Sequence, residues 1–259
     1  MSSNKETFGK TVGFVTAVCL VCAALVSISA IQLKPLQVAN KLLDQQTKIL
    51  EASGLLAKTD GSSKDIKATY AKFVEAKMID LDSGEFIEGN PDLFDERSNS
   101  RDAKKSEKPK NDIAGINRRS HDAVVYLVRN ENNVVETIVL PIVGSGLWDL
   151  MYGYVGLESD LNTVRSVVYS DHKETPGLGA EVVNPKWKAL WPGKKIYNSA
   201  GEVKASLVKG GAKANDIHGV DALSGATLTS NGVTRTLQFW FGEEGYAPFI
   251  AKYRAGGVN

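Results

Sequence analysis

The sequence predicts an α+β protein, with a single N-terminal transmembrane helix followed by a globular domain built on β-hairpins. Three observations carry this reading. Residues 11–33 contain no charged side chain, and a helix of that length spans the roughly 30 Å hydrocarbon core of a bilayer. Runs of β-branched residues gather between residues 123 and 170, as pleated, half-buried strands require. No regular helix alternates with those runs, which argues against a doubly wound sheet.

Taken in order, residues 1–10 form a short N-terminal segment and 11–33 the membrane helix. Lys5 and Lys10 precede the apolar run and Lys34, Lys41 and Lys48 follow it, so the basic flanks do not set its orientation. Ser27-Ile28-Ser29 offers a cleavage-like pattern. The apolar run, however, outlasts a signal-peptide core of about 7–15 residues and continues to Leu33, which favours an uncleaved anchor. Cys19 and Cys22 each follow a valine rather than the small residue of a lipoprotein site. Three apart, they share a helix face. Packing is the simpler reading of this pair; the alternative is a metal site shared with a partner helix, since Cys-x-x-Cys supplies only half of a four-cysteine set.

Residues 34–122 read as a helical, loop-rich region. Leu36, Ala39, Leu42, Leu43, Ile49 and Leu50 mark an amphipathic helix over 36–57, and a second helix is expected over 66–74 after a turn at Gly61-Ser62-Ser63. Residues 95–112 contain no large apolar side chain and read as a solvated loop. The domain core is expected over 123–259. It opens with a hairpin of strands 123–129 and 134–143, and residues 163–170 supply a further strand.

Charge and composition exclude several roles. The chain of 259 residues carries 31 basic and 30 acidic side chains, leaving no excess of positive charge to neutralise nucleic-acid phosphates. The soluble part has no cysteine and therefore no disulfide. Neither Gly-x-x-x-x-Gly-Lys-Ser/Thr nor Gly-x-Gly-x-x-Gly occurs, so a nucleotide-binding NADH site is not expected. No spacing of His, Cys and carboxylates makes a credible metal site.

What remains is a set of loop motifs. Asp221-Ala222-Leu223-Ser224-Gly225-Ala226-Thr227 puts a hydroxyl behind a small, flexible approach. A helix follows: Ser230 and Asn231 are good N-caps, and Val233, Leu237, Trp240 and Phe241 repeat at helical spacing. Unpaired N–H groups and the positive dipole end would receive an anion near Thr227. Gly144-Ser145-Gly146-Leu147-Trp148, followed by Met151, Tyr152, Gly153 and Tyr154, combines glycines that permit close approach with aromatics that could flank a planar ring. Glu174-Thr175-Pro176-Gly177-Leu178-Gly179 fits a type II turn with or without a ligand. His218, just upstream of Asp221, reads as structural or as a partner for a bound phosphate.

In this order the motifs resemble those of the FMN-binding domain family. The resemblance implies that Thr227 carries FMN covalently, through a phosphoester bond installed by a flavin transferase. It further implies that Glu174, Thr175, Gly177 and Leu178 border the isoalloxazine or its ribityl chain. Gly146, Leu147, Trp148, Asp221, Ser224, Gly225 and Ala226 complete the implied pocket. The implied function is electron relay among the subunits of an NADH:ubiquinone oxidoreductase coupled to sodium export. A ferredoxin:NAD⁺ electron-transport complex is the alternative setting, and a non-redox, membrane-tethered binding domain the alternative of another class. The chain would be anchored by residues 11–33 in the lipid bilayer of a bacterial inner membrane, with its soluble domain in the periplasm.

Overall fold

In the computed structural model residues 7–256 are described; residues 1–6 of the expected N-terminal segment lie outside them. Two units follow one another, Met1–Asp44 and Gln45–Asn259.

The first helix, α1, runs without a break over Phe8–Ala52. Separate helices over 11–33 and 36–57 are therefore corrected to one. Pro35 sits inside it, at the cost of one backbone hydrogen bond. Its only true stop comes after Ala52, where Gly54 takes φ +77°, the left-handed conformation that closes helices. Within the first unit the apolar side chains Phe14, Val15, Leu20, Val21 and Leu25 are exposed, and the helix is long and apolar enough to cross a membrane. Cys19 and Cys22 are exposed on it as well.

In the second unit, α2 (Ser63–Phe73) starts at Ser62, whose side chain accepts from the Asp65 amide. Strand β1 (Val74–Asp80) follows at once, so Val74 ends no helix but begins a strand. Short β2 (Phe86–Ile87) pairs with it. Residues 95–112 are more ordered than a solvated loop. They contain α3 (Glu96–Arg101), capped by Asp95, and β3 (Ser106–Glu107), paired with β4 (Arg119–Ser120). Hydrogen bonds and ion pairs order this segment in place of apolar burial. The Glu244 carboxylate accepts from the amides of Lys110 and Asn111 at 2.6 and 2.8 Å, and the buried Arg119 guanidinium donates to both Asp82 and Glu107.

The remaining long strands are β5 (Asp122–Arg129), β6 (Val135–Ser145), β7 (Leu150–Glu158) and β8 (Val164–Asp171). With β1 and β2 they form one antiparallel, six-stranded sheet in the order β2-β1-β5-β6-β7-β8. The expected hairpin of β5 and β6 is present, while β7 was not anticipated as a strand. Its two glycines look like breakers, yet each answers a close approach. A Cβ on Gly156 would overlap the carbonyl of Ala52, and one on Gly153 would lie 3.1 Å from the Tyr169 ring.

Alternation along the strands divides the core. One face buries Val125, Leu127, Ile138, Leu140, Val155 and Val167 beneath the C-terminal helices α5 (Thr227–Trp240) and α6 (Ala247–Arg254). The opposite face buries Val124, Tyr126, Val128 and Val139, where Gln45 of α1 donates to the Tyr126 hydroxyl at 2.9 Å. Between β8 and α5 lie α4 (Pro185–Lys188) and a parallel pair, β9 (Ser206–Val208) and β10 (Gly219–Asp221). The α+β class expected from the sequence is the class observed.

Candidate functional site

Three loops meet at one end of the sheet: the β6–β7 turn, the segment after β8, and the approach to α5. Glu174 joins all three. Its Oε1 accepts from the backbone N–H groups of Leu147 and Trp148 at 2.9 and 3.1 Å, and its Oε2 accepts from the Thr229 hydroxyl. The carboxylate is buried, with both oxygens engaged by the chain itself. Gly146 and Gly179 leave room for it, because a Cβ at either would overlap a carboxylate oxygen. Beside it, Pro176-Gly177 forms the expected turn: Leu178 N donates to Thr175 O at 3.1 Å, and Gly177 has φ +76°. The Trp148 indole donates to the Thr175 hydroxyl at 3.1 Å, and Leu178 lies 2.9 Å from where a Cβ of Gly225 would stand.

The helix α5 begins at Thr227, three residues ahead of the Ser230–Asn231 start the sequence suggested. Ser230 is not a cap; its hydroxyl oxygen accepts from Leu223 N at 3.0 Å and folds the approach loop back on the first turn. The capping position is Ala226, which has no side chain to offer. The first-turn N–H groups, which no helix can satisfy internally, therefore face outward with the dipole's positive end. Among the hydroxyls of this stretch, those of Thr229 and Ser230 are buried and already bonded, while Thr227 and Ser224 are exposed.

A cavity of about 420 Å³ opens beside Thr227. Lys209, Gly210 and Gly211 form one wall, with Asp221, Ser224 and Asn231 on others. Asp221 shapes it by accepting from Ala212 N at 2.8 Å, and its carbonyl accepts from the Trp187 indole at 2.9 Å. Around the same loops Leu147, Trp148, Leu178 and Leu228 are 47, 67, 42 and 61 % exposed. These large apolar side chains, left in water at converging loops, form a surface that a planar ring or a partner would cover.

The position of α5 is set by close contact with β6. Gly232 meets the Ser145 carbonyl, Gly144 meets Thr236, and the Trp240 indole donates to Val143 O at 2.6 Å. The motif's hydroxyl is thus carried on a helix pinned to the centre of the sheet.

Several sequence expectations land elsewhere. Tyr154 turns to the opposite face, edge-on to Tyr126 at 6.3 Å, and Tyr152 lies beneath the Arg97 guanidinium, 3.9 Å from the ring centroid. Of the aromatics considered for flanking a ring, Trp148 remains. The His218 ring bonds the Lys195 carbonyl at 2.7 Å, a structural tie. Lys209, Gly210, Gly211 and Asn231 were not anticipated; they lie in aperiodic loop or on a helix face that gives no local signal. Among the described residues, Asp82, Glu107 and His121 bring three ligand atoms together, but Arg119 already pairs with both carboxylates.

Comparison with known proteins matches the same region. Residues 146–242 match the FMN-binding domain model, a span that holds the three converging motifs. Over the whole chain the sequence is 45% identical to the Na(+)-translocating NADH-quinone reductase subunit NqrC of Vibrio alginolyticus, covering 100% of both chains. It is 44% identical to the same subunit of Yersinia pestis, covering 99% of this chain and 97% of that one. Among solved structures it is similar to Shewanella oneidensis NqrC, with TM-score 0.78 and 40% identity over 84% of this chain and 98% of that chain. The corresponding subunit from Parabacteroides distasonis aligns with TM-score 0.65 and 29% identity over 84% and 96%.

Proposed function

The chain belongs to the NqrC family of the Na⁺-translocating NADH-quinone reductases, FMN-binding subunits of a multisubunit membrane complex, and from that premise we propose that Thr227 carries the FMN as a phosphoester. The observation that carries this reading is the selectivity of the site among its own hydroxyls. Thr229 and Ser230 are spent on Glu174 and Leu223, and Thr227 stands exposed at an uncapped helix N-terminus. A phosphate esterified there meets first-turn N–H groups and the dipole's positive end, with the Lys209 ammonium on the cavity wall. Ser224 is exposed too, but it precedes the helix by three residues and lacks those donors.

Attachment exchanges the Thr227 O–H bond for an O–P bond. A flavin transferase supplies the flavin donor, whose own P–O bond breaks, and the hydroxyl proton leaves with the departing oxygen. Once bound, FMN supplies electron transfer between neighbouring subunits. The chain contributes a tether at Thr227, apolar cover from Leu147, Trp148, Leu178 and Leu228, and a backbone made rigid by Glu174. Thr227 is an attachment residue and neither accepts nor donates a proton in the relay. The soluble domain faces the periplasm, with the N-terminus on the cytoplasmic side.

The test is Thr227→Leu in the full chain, expressed in a host with its flavin transferase. The expected protein folds, and after denaturation it is colourless where wild type stays yellow. A Thr227→Leu protein that kept flavin through denaturation would overturn the assignment.

A further inference from the structure

We infer that Glu174 is a positioning residue of the flavin site that also sets the flavin's reduction potential through its buried charge. The inference rests on the FMN attachment proposed at Thr227. Glu174 comes from the segment after β8, yet it holds two other loops: the Leu147 and Trp148 amides through Oε1 and the Thr229 hydroxyl through Oε2. Thr229 is two residues beyond Thr227 on the first turn of α5, so the carboxylate fixes the attachment residue's backbone against the loop that presents Leu147 and Trp148. Trp148 is held a second time, by its indole N–H on Thr175. The glycines on either side, Gly146 and Gly179, are the packing counterpart of this clamp, since a Cβ at either would overlap the carboxylate.

The same geometry has an electrostatic consequence. The three hydrogen-bond partners of Glu174 are two backbone amides and a hydroxyl, all neutral. They satisfy the carboxylate's lone pairs without cancelling its charge. A buried negative charge is weakly screened, and it opposes the arrival of an electron on a ring lodged among Leu147, Trp148 and Leu178. Glu174 therefore holds the flavin at a lower potential than a neutral residue of the same shape would.

Two substitutions separate the two roles. Glu174→Gln keeps one carbonyl oxygen for the Leu147 and Trp148 amides and turns an NH₂ towards Thr229, whose hydroxyl can accept; it removes charge and leaves the clamp. Glu174→Ala removes both. Three quantities are read on the full detergent-solubilised chain: the mass of the Thr227 peptide, amide exchange at Leu147 and Trp148 in flavin-free protein, and the flavin midpoint potential. Glu174→Gln should load flavin as wild type does, keep exchange within about threefold, and move the potential to a more positive value. In Glu174→Ala, exchange at both amides should accelerate about tenfold or more, the scale of losing a hydrogen bond to a charged acceptor. A Glu174→Gln protein with the wild-type potential overturns the electrostatic role, and unchanged exchange in Glu174→Ala overturns the clamp. A wild-type protein with no flavin on Thr227 sinks the attachment reading instead, and the exchange measurement then still judges the clamp by itself.

Discussion

Replacing Gly232 by alanine sets local preference directly against tertiary packing. Gly232 lies inside α5, where alanine is favoured over glycine by about 1 kcal/mol on helix propensity alone. The added Cβ, however, would overlap the Ser145 carbonyl oxygen and stand 3.3 Å from its carbon and 3.5 Å from Gly146 Cα. Carbon and oxygen would be about 1 Å inside comfortable contact. Neither side can yield cheaply: Ser145 N is bonded to Ala114 O at 2.7 Å, and α5 is held to β6 by Trp240 on Val143 O. Overpacking of this kind costs about 1–3 kcal/mol or more, and loosening the Trp240 bond adds about 1 kcal/mol. Against the propensity gain, the net loss is about 2 kcal/mol, or a fall of about 4–8 °C in melting temperature for a domain of this size. Thermal unfolding of the flavin-free protein in detergent, followed by circular dichroism, reads this directly. A Gly232→Ala protein that melts at or above wild type would show that α5 is not seated on the strand as described.

Two further expectations concern charge and orientation. Burial, with Asp95 alongside, pushes the Glu96 carboxyl from an ordinary 4.5 up to about 8. The folded state thus favours the protonated acid, so this contribution is fully present below about pH 4.5 and is lost as pH rises through about 8. Because Glu96 is half-buried, the loss is discounted to about 2 kcal/mol. Urea midpoints should therefore fall less between about pH 5 and 9 in Glu96→Gln than in wild type, and identical slopes would remove Glu96 from the account. Separately, a reporter fused after Asn259 should be active only outside the cytoplasm; activity confined to the cytoplasm would reverse the proposed orientation.

The parts of this protein legible in its sequence are those governed by local chemistry. The charge-free run gave the long apolar helix, β-branched runs gave β5, β6 and β8, and Pro176-Gly177 gave its turn. Elements that depend on distant partners stayed hidden. Strand β7 holds Gly153 and Gly156, which read as breakers until Tyr169 and Ala52 are seen packed against them. Strand β1 follows α2 without a linking residue, so its alternation is masked by the helix before it. The start of α5 was misplaced because Ser230 has the chemistry of a cap but spends it on Leu223. At the site, the three motifs were visible, but not that one carboxylate ties them together. Glu174 reads as a residue bordering a ligand in one dimension and stands behind the loops in three. Lys209, Gly210 and Gly211 reach the cavity from a loop whose sequence carries no periodicity at all.

The central claim is that Thr227 is the point of flavin attachment, and the most direct test is peptide mass spectrometry on protein purified from a host with an active flavin transferase. The peptide containing Thr227 should be heavier by FMN less one water, with fragmentation placing the added mass on Thr227. An unmodified peptide, or added mass on Ser224, Thr229 or Ser230, would contradict the account.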